Sequence, residues 1–187
     1  MNLTQTTIPG LTLIEPYKVE DSRGFFSEIF RDDLLQQHGY SLTFVQGNAV
    51  YSSQTNVLRG LHYQSPPHAQ AKLVRVSRGA IWDIVVDIRK GSPTYGQWFG
   101  CELSPENHRQ LLVPAGFAHG YVTLQPDTEV IYKVDNYYAP TANKGIRWND
   151  PDLNTDWKLG ESSPIISPKD GTHPFFEQFE SEFTYQA

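Results

Sequence analysis

The chain has 187 residues, enough for one sizeable core and short for two, so a single domain over 1–187 is expected. Its 15 Lys+Arg against 21 Asp+Glu give a formal net charge of −6 and a pI near 5.4, which argues against nucleic-acid binding because phosphate backbones require clustered positive charge. Mean hydropathy is −0.47 and no apolar run approaches the ~18 residues that suggest a membrane span, while 13% aromatic residues supply a burial payload that disordered chains lack.

The first residues, MNLTQTTIPGLTLIE, show no basic stretch followed by an apolar one, so no secretory signal is read and a cytoplasmic location is expected. Beyond them, 14 Gly and 13 Pro punctuate short runs rich in Val, Ile, Tyr, Phe and Trp, the strand signature. Strands are expected over 11–19, 25–30, 44–52 and 58–64. Between them, Asp32-Asp33-Leu34-Leu35-Gln36-Gln37-His38-Gly39 reads as a short helix, with acidic residues in its first turn and a glycine stop.

The clearest text is AKLVRVSRGAIWDIVVDIR over 71–89, two strands turning at Ser77-Arg78-Gly79. Trp82, Ile84, Val86 and Ile88 share one face there, with Asp83, Asp87 and Arg89 on the other. Further strands are expected over 98–103, 110–113, 120–124 and 129–136, and a second helix over 174–183. Short strands at this spacing, without crossover helices, predict an all-β jelly-roll barrel or sandwich with a few short peripheral helices.

Two of the six histidines lie in apolar, glycine-punctuated strand text: His62 in Val57-Leu58-Arg59-Gly60-Leu61-His62-Tyr63, and His119 in Val113-Pro114-Ala115-Gly116-Phe117-Ala118-His119-Gly120. A lone histidine of this kind is commonly a satisfied core residue. Two of them beside arginine in strands that could line one barrel point instead to a site. A 2-His-1-carboxylate metal centre is the first functional idea. The 114–119 segment resembles the second half of the metal-binding cupin signature, but the first half would need two histidines one residue apart, and here His62-Tyr63-Gln64 stands. The one cysteine, Cys101, allows neither an intrachain disulfide nor a Cys-based zinc site. No metal is therefore expected.

No dinucleotide, Walker or nucleophile-elbow motif is present, so no cofactor is expected and proton transfer with electrostatic support is the chemistry left. His62 is the candidate base, since an imidazole pKa near ~6.5 lies close to physiological pH. Lys72, Tyr132 and the Lys169-Asp170 pair can supply a cation, an acid and an orienting carboxylate. Tyr132 shares strand parity with Val130 and Val134, which turns its ring inward, and Lys133 shares parity with Glu129 and points out.

These motifs occur in one order: Asp21-Ser22-Arg23-Gly24-Phe25-Phe26, Val57–His62, Gln70-Ala71-Lys72-Leu73-Val74, Val85–Arg89, Arg109–Gly120, Tyr132-Lys133, Asn136-Tyr137-Tyr138 and Trp148-Asn149-Asp150. Together they closely resemble the dTDP-4-dehydrorhamnose 3,5-epimerases, metal-free members of the cupin superfamily, over about 9–170. The resemblance implies inversion of dTDP-4-dehydro-6-deoxy-D-glucose at C3 and C5, giving dTDP-4-dehydro-L-rhamnose. It implies His62 as base, Asp170 as its carboxylate, Lys72 at the enolate oxygen and Tyr132 as the opposing acid. It also places Arg23, Phe26, Glu28, Gln46, Gly47, Asn48, Arg59, His119 and Lys169 around the nucleotide sugar, with the guanidinium groups on the diphosphate. At one position the family often carries glutamate and this chain has Asn143, so a contact there would be uncharged. A homodimer exchanging N-terminal strand material is implied too, with Arg23 and Glu28 serving the partner's pocket. Rival readings are a 3- or 5-mono-epimerase or ketoisomerase, a metal-dependent cupin oxygenase, and a non-catalytic sugar-binding jelly roll.

Overall fold

The computed structural model describes residues 1–186, and most of its regular structure is antiparallel strand. One sheet holds, in spatial order, β1 (Asn2–Gln5), β2 (Thr12–Glu15), β11 (Gln110–Val113), β7 (Lys72–Arg78), β13 (Thr128–Val134) and β5 (Gln46–Ser52). The second holds β10 (Trp98–Leu103), β8 (Ile81–Asp87), β12 (Phe117–Thr123), β6 (Leu58–Gln64) and β14 (Asn143–Gly145). Along the chain β5 passes to β6, β7 to β8, β10 to β11 and β12 to β13, so successive strands cross from one sheet to the other. That is the jelly roll the strand spacing predicts.

Strand alternation sorts the apolar residues into three layers. Between the sheets lie Val74, Val76, Ile81, Val85, Leu111, Val113, Phe117, Tyr121 and Val130, drawn from both sheets. Outside the second sheet, Ile84, Val86, Ala118 and Val122 meet Leu153, Trp157, Phe176, Phe179 and Phe183 of the C-terminal segment. Outside the first sheet, Ile14, Leu73 and Leu112 pack on Leu35 of the α-helix α1 (Asp32–Gln37), and on Phe30, Tyr40 and Phe44. The 81–87 strand is therefore covered on both faces. Trp82, Ile84 and Val86 pack outward under the C-terminal segment, and Asp83 and Asp87 face inward with no exposure.

The strands expected over 58–64, 98–103 and 110–113 form over those residues, and five other expected boundaries move. The 11–19 stretch breaks at Pro16, which has no N–H for a ladder. Its second half, β3 (Lys18–Asp21), pairs with β4 (Gly24–Ser27) in a separate two-stranded ribbon, so the strand expected over 25–30 lies outside both sheets. The strand expected over 44–52 begins at Gln46. The one expected over 120–124 runs Phe117–Thr123, taking in His119, and the one expected over 129–136 runs Thr128–Val134. The turn expected at 77–79 falls after Arg78, and its two strands join different sheets. β1 was not foreseen, being four mostly polar residues at a sheet edge. The helix expected over 174–183 is only a 3₁₀ turn, Phe176–Gln178. There Phe176 and Phe179 press on the second sheet, and Phe183 begins β15 (Phe183–Thr184), paired in parallel with β9 (Arg89–Lys90).

Candidate active site

A cavity of about 480 Å³ opens between the sheets, lined by Arg59, His62, Lys72, His119, Tyr121, Tyr132, Asn143, Lys169 and Asp170, with Val50, Val74 and Val130 as apolar wall. Its polar groups come from both sheets, and two of those on the second sheet share the cavity because of an irregularity in β6. Opposite β12, His62 pairs with His119 and Arg59 with Tyr121, so β6 carries one residue more than its partner over this stretch. The bulge lets Arg59 and His62, three apart in sequence, face the same cavity. It depends on Gly60, which has φ +144°, and a Cβ there would come within 2.6 Å of Gly120 Cα.

His62 Nε2 lies 2.7 Å from Asp170 Oδ1. Asp170 is only 3% exposed, its Oδ2 accepts the Gly60 N–H at 3.4 Å, and its own N–H donates to Ser167 Oγ at 3.1 Å. Burial pushes the Asp170 carboxyl up, but the hydrogen bond and charge of His62, helped by the Gly60 N–H, outweigh it and leave the group below its ordinary value. A second histidine–carboxylate pair stands behind the first: His119 Nε2 lies 2.9 and 3.0 Å from the two oxygens of fully buried Asp83.

Across the cavity, the first sheet presents Lys72 on β7 and Tyr132 on β13. Tyr132 shares an inward face with Val130 and Val134, and Lys133 points outward over the Phe30 ring at 5.2 Å, as parity predicts. Burial brings the Lys72 ammonium from 10.5 down to about 8, with Asp83 attracting it in the opposite sense. Burial likewise raises the Tyr132 phenol, against the pull of Arg59. Both groups are thus held closer to their neutral forms.

Eight of the residues singled out from sequence meet in this cavity: Arg59, His62, Lys72, His119, Tyr132, Asn143, Lys169 and Asp170. Asn143 donates to Tyr138 Oη at 3.1 Å. Gln46 and Asn48 share the inward face of β5 with Val50 and hydrogen-bond each other at 2.8 Å, beyond the cavity wall, with Gly47 between them. Three residues stand apart on or beside the β3–β4 ribbon. Arg23 is paired with Asp21 at 2.6 Å with its side chain 88% exposed, Phe26 is 69% exposed, and Glu28 meets Arg31 at 3.5 Å. None of the three lines the cavity of its own chain. Sequence reading missed Asp83, whose parity with Ile81 and Val85 was the available signal, and Tyr121, two residues after His119 on the same face. His173, beside Asp170, carried no motif.

A cupin-type metal does not fit these donors. His62 and His119 face each other in register, but their Nε2 atoms turn to different carboxylates, and among the described residues no cluster of ligand atoms includes both. Gln64, where a second histidine would stand, donates to the carbonyls of His68 and Tyr137 at 2.7 and 3.2 Å.

The family model described as dTDP-4-dehydrorhamnose 3,5-epimerase matches residues 5–178. The chain belongs to that family. A curated dTDP-4-dehydrorhamnose 3,5-epimerase from Escherichia coli is 46% identical over 171 residues, 91% of each chain. A crystal structure of the Bacillus anthracis enzyme of that name, with TDP and pyrophosphate bound, is 47% identical with a TM-score of 0.90, covering 94% of this chain and 99% of that one. A dTDP-6-deoxy-D-glucose-3,5-epimerase from Legionella pneumophila, in complex with dTDP-4-keto-L-rhamnose, is 44% identical with a TM-score of 0.94, covering 100% and 99%. The resemblance read from the motifs and the all-β fold both hold, and the chain is an isomerase-class enzyme by family.

Proposed function

We propose that the chain converts dTDP-4-dehydro-6-deoxy-D-glucose to dTDP-4-dehydro-L-rhamnose by inverting C3 and C5, acting as one cupin-type domain without a cofactor. The observation that carries the reading is the placement of a carboxylate-backed histidine, His62, on one sheet and an enclosed phenol, Tyr132, on the facing sheet. Both reacting carbons flank the C4 ketone, so the same carbonyl acidifies each C–H. Asp170 engages His62 Nε2, leaving Nδ1 to take the proton from carbon and steadying the imidazolium that forms. The Lys72 ammonium, with a pKa of about 8, is still mostly charged at neutral pH and stabilises the enolate oxygen. Tyr132 returns a proton from the opposite face, which inverts the centre.

Arg59 and Lys169 at the cavity mouth suit the diphosphate. The β3–β4 ribbon supports the homodimer. Val19, Phe25 and Phe26 on it and Tyr17 just before it are more than half exposed, an apolar surface of the kind that partners cover, and a second copy would carry Arg23, Phe26 and Glu28 to this cavity. A charged nucleotide does not cross a bilayer unaided, which places an enzyme using it in the cytoplasm. Incubation with the keto sugar in heavy water should place deuterium at both C3 and C5 of an L-configured product. Label at one carbon alone would make the chain a mono-epimerase, and none at all would leave only a sugar-binding jelly roll.

A further inference from the structure

Behind the His62–Asp170 pair stands His173, which the proposed reaction does not use. The residue is 7% exposed, and its Nε2 is buried without a hydrogen-bond partner, a state that polar atoms in folded proteins rarely keep without a reason. The fold keeps room for this ring. A Cβ on Gly145 would come within 2.6 Å of His173 Nε2, and the His173 carbonyl is pinned by Arg147 Nε at 2.8 Å. His173 Nε2 lies 3.8 Å from the same Asp170 oxygen that His62 Nε2 meets at 2.7 Å. The two rings stand edge to face, 5.6 Å between centroids.

We infer that His62, Asp170 and His173 together bind one divalent transition cation of the zinc class, and that its binding switches the base off. The switching half rests on the epimerase reading, and the binding half does not. Two imidazoles and one carboxylate are a preferred donor set for such ions, and their ligand atoms all lie within 4.8 Å of one another. Among the described residues it is the one such group. Tetrahedral bonds of ~2.0–2.1 Å set ligand atoms about 3.4 Å apart, between the 2.7 and 3.8 Å found here, so small side-chain rotations seat the ion. His173 also lines a second cavity, of about 410 Å³, with Tyr63, Lys144, Thr172 and Glu180. His62 and Asp170 line the first cavity, so the ligand cluster stands in the wall between the two.

The consequence follows from tautomers. An imidazole that gives its Nε2 lone pair to a metal carries its one proton on Nδ1. The proton that Nε2 shared with Asp170 in the working enzyme is then lost or moved to Nδ1. The atom that must accept the substrate's proton becomes an N–H. Asp170, turned to the cation, no longer steadies an imidazolium. A single ion thus removes both the lone pair and its support.

The test uses chelator-treated full-length protein. Calorimetric titration with Zn2+ should show one ion per chain, and Co2+ should give the intense visible absorption of a tetrahedral site. Deuterium wash-in from heavy water should fall at least tenfold with stoichiometric Zn2+ and return with EDTA. Loss of one of three ligands should weaken Zn2+ binding by ~100-fold or more, since even supporting residues cost 10–100-fold. That weakening is expected in His173→Phe, which keeps an aromatic ring, and in His173→Gln, which keeps a polar end, with metal-free turnover within about threefold of wild type. Equal Zn2+ affinity in wild type and both variants, or a weak octahedral Co2+ spectrum in wild type alone, overturns the site. Tight His173-dependent binding without inhibition overturns the switch. The binding measurements use no sugar, so a failure of the epimerase reading shows as absent turnover with the metal site intact.

Discussion

Replacing Lys72 by Met should make the protein more stable and nearly inactive. The ammonium sits in the barrel with no ion-pair partner among the described residues, and burial brings it from 10.5 to about 8. At 1.36 kcal/mol per pH unit, the folded state below pH 8 carries a penalty of up to about 3 kcal/mol; residual solvent contact reduces this to ~1–3 kcal/mol. The sign follows from proton linkage. The folded-state value lies below the unfolded one, so the penalty is complete below pH 8, shrinks as pH rises from 8 to 10.5, and vanishes above that. Methionine keeps the stem and drops the charge, so Lys72→Met should melt higher at pH 7 by about 2–4 °C for each kcal/mol recovered. Its advantage should fade in melts at pH 9 and 10. Turnover should drop by about 10²–10³-fold, the scale of one lost oxyanion contact. A variant that melts below wild type at pH 7, or an advantage unchanged at pH 10, would refute the argument that the fold bears the cost of a charge placed for chemistry.

Three further variants separate the proton-handling groups. Tyr132→Phe keeps the ring and should still wash deuterium into the sugar, while product falls by about 10²–10⁴-fold, the worth of a positioned acid; inversion at the wild-type rate would assign the donor elsewhere. His62→Ala should abolish exchange and inversion together, and Asp170→Asn should fall between, both read by NMR on variants with wild-type circular dichroism. Arg59→Ala should raise KM about 10–100-fold, the value of a charge-assisted phosphate contact, with kcat little changed. A collapse of kcat at constant KM would move Arg59 to the reacting centre.

Legibility tracked how local the signal was. The parity that turned Tyr132 inward and Lys133 outward was readable because 128–134 is one continuous strand in unbroken register with β5. Parity alone would have set Arg59 and His62 on opposite faces of β6, and only the bulge at Gly60 reconciles them. Asp83 looked like a polar-face residue because alternation shows which residues share a side, not whether that side meets water. The second sheet is covered on both faces, so the aspartates went to the interior and one of them became the partner of His119. The 174–183 segment was misread for a related reason. Its phenylalanines answer to the outer face of the second sheet rather than to a helix of their own. His173 was silent because its meaning depends on His62 and Gly145, which only the fold brings to it.

Why a two-sheet barrel suits this reaction follows from the shape of the intermediate. Deprotonation next to the C4 ketone flattens that part of the ring, and inversion needs a base on one face and an acid on the other. Facing sheets stand about 10 Å apart, roughly the thickness of a sugar ring plus one side chain reaching in from each wall. Strands from a single sheet would bring both groups to the same face, where a proton is exchanged but returned to its starting configuration. Here His62 comes from β6 and Tyr132 from β13, on opposite walls, while Lys72 on β7 shares the Tyr132 wall. C3 and C5 lie symmetrically beside C4, so a ring held with its carbonyl toward Lys72 presents either carbon to the same pair after a modest shift. The valines of the wall, Val50, Val74 and Val130, make no directional bonds and permit that shift. On the proposed reading, a diphosphate held by Arg59 and Lys169 keeps the sugar from leaving between the two inversions. One acid, one base and one cation then suffice for two stereocentres.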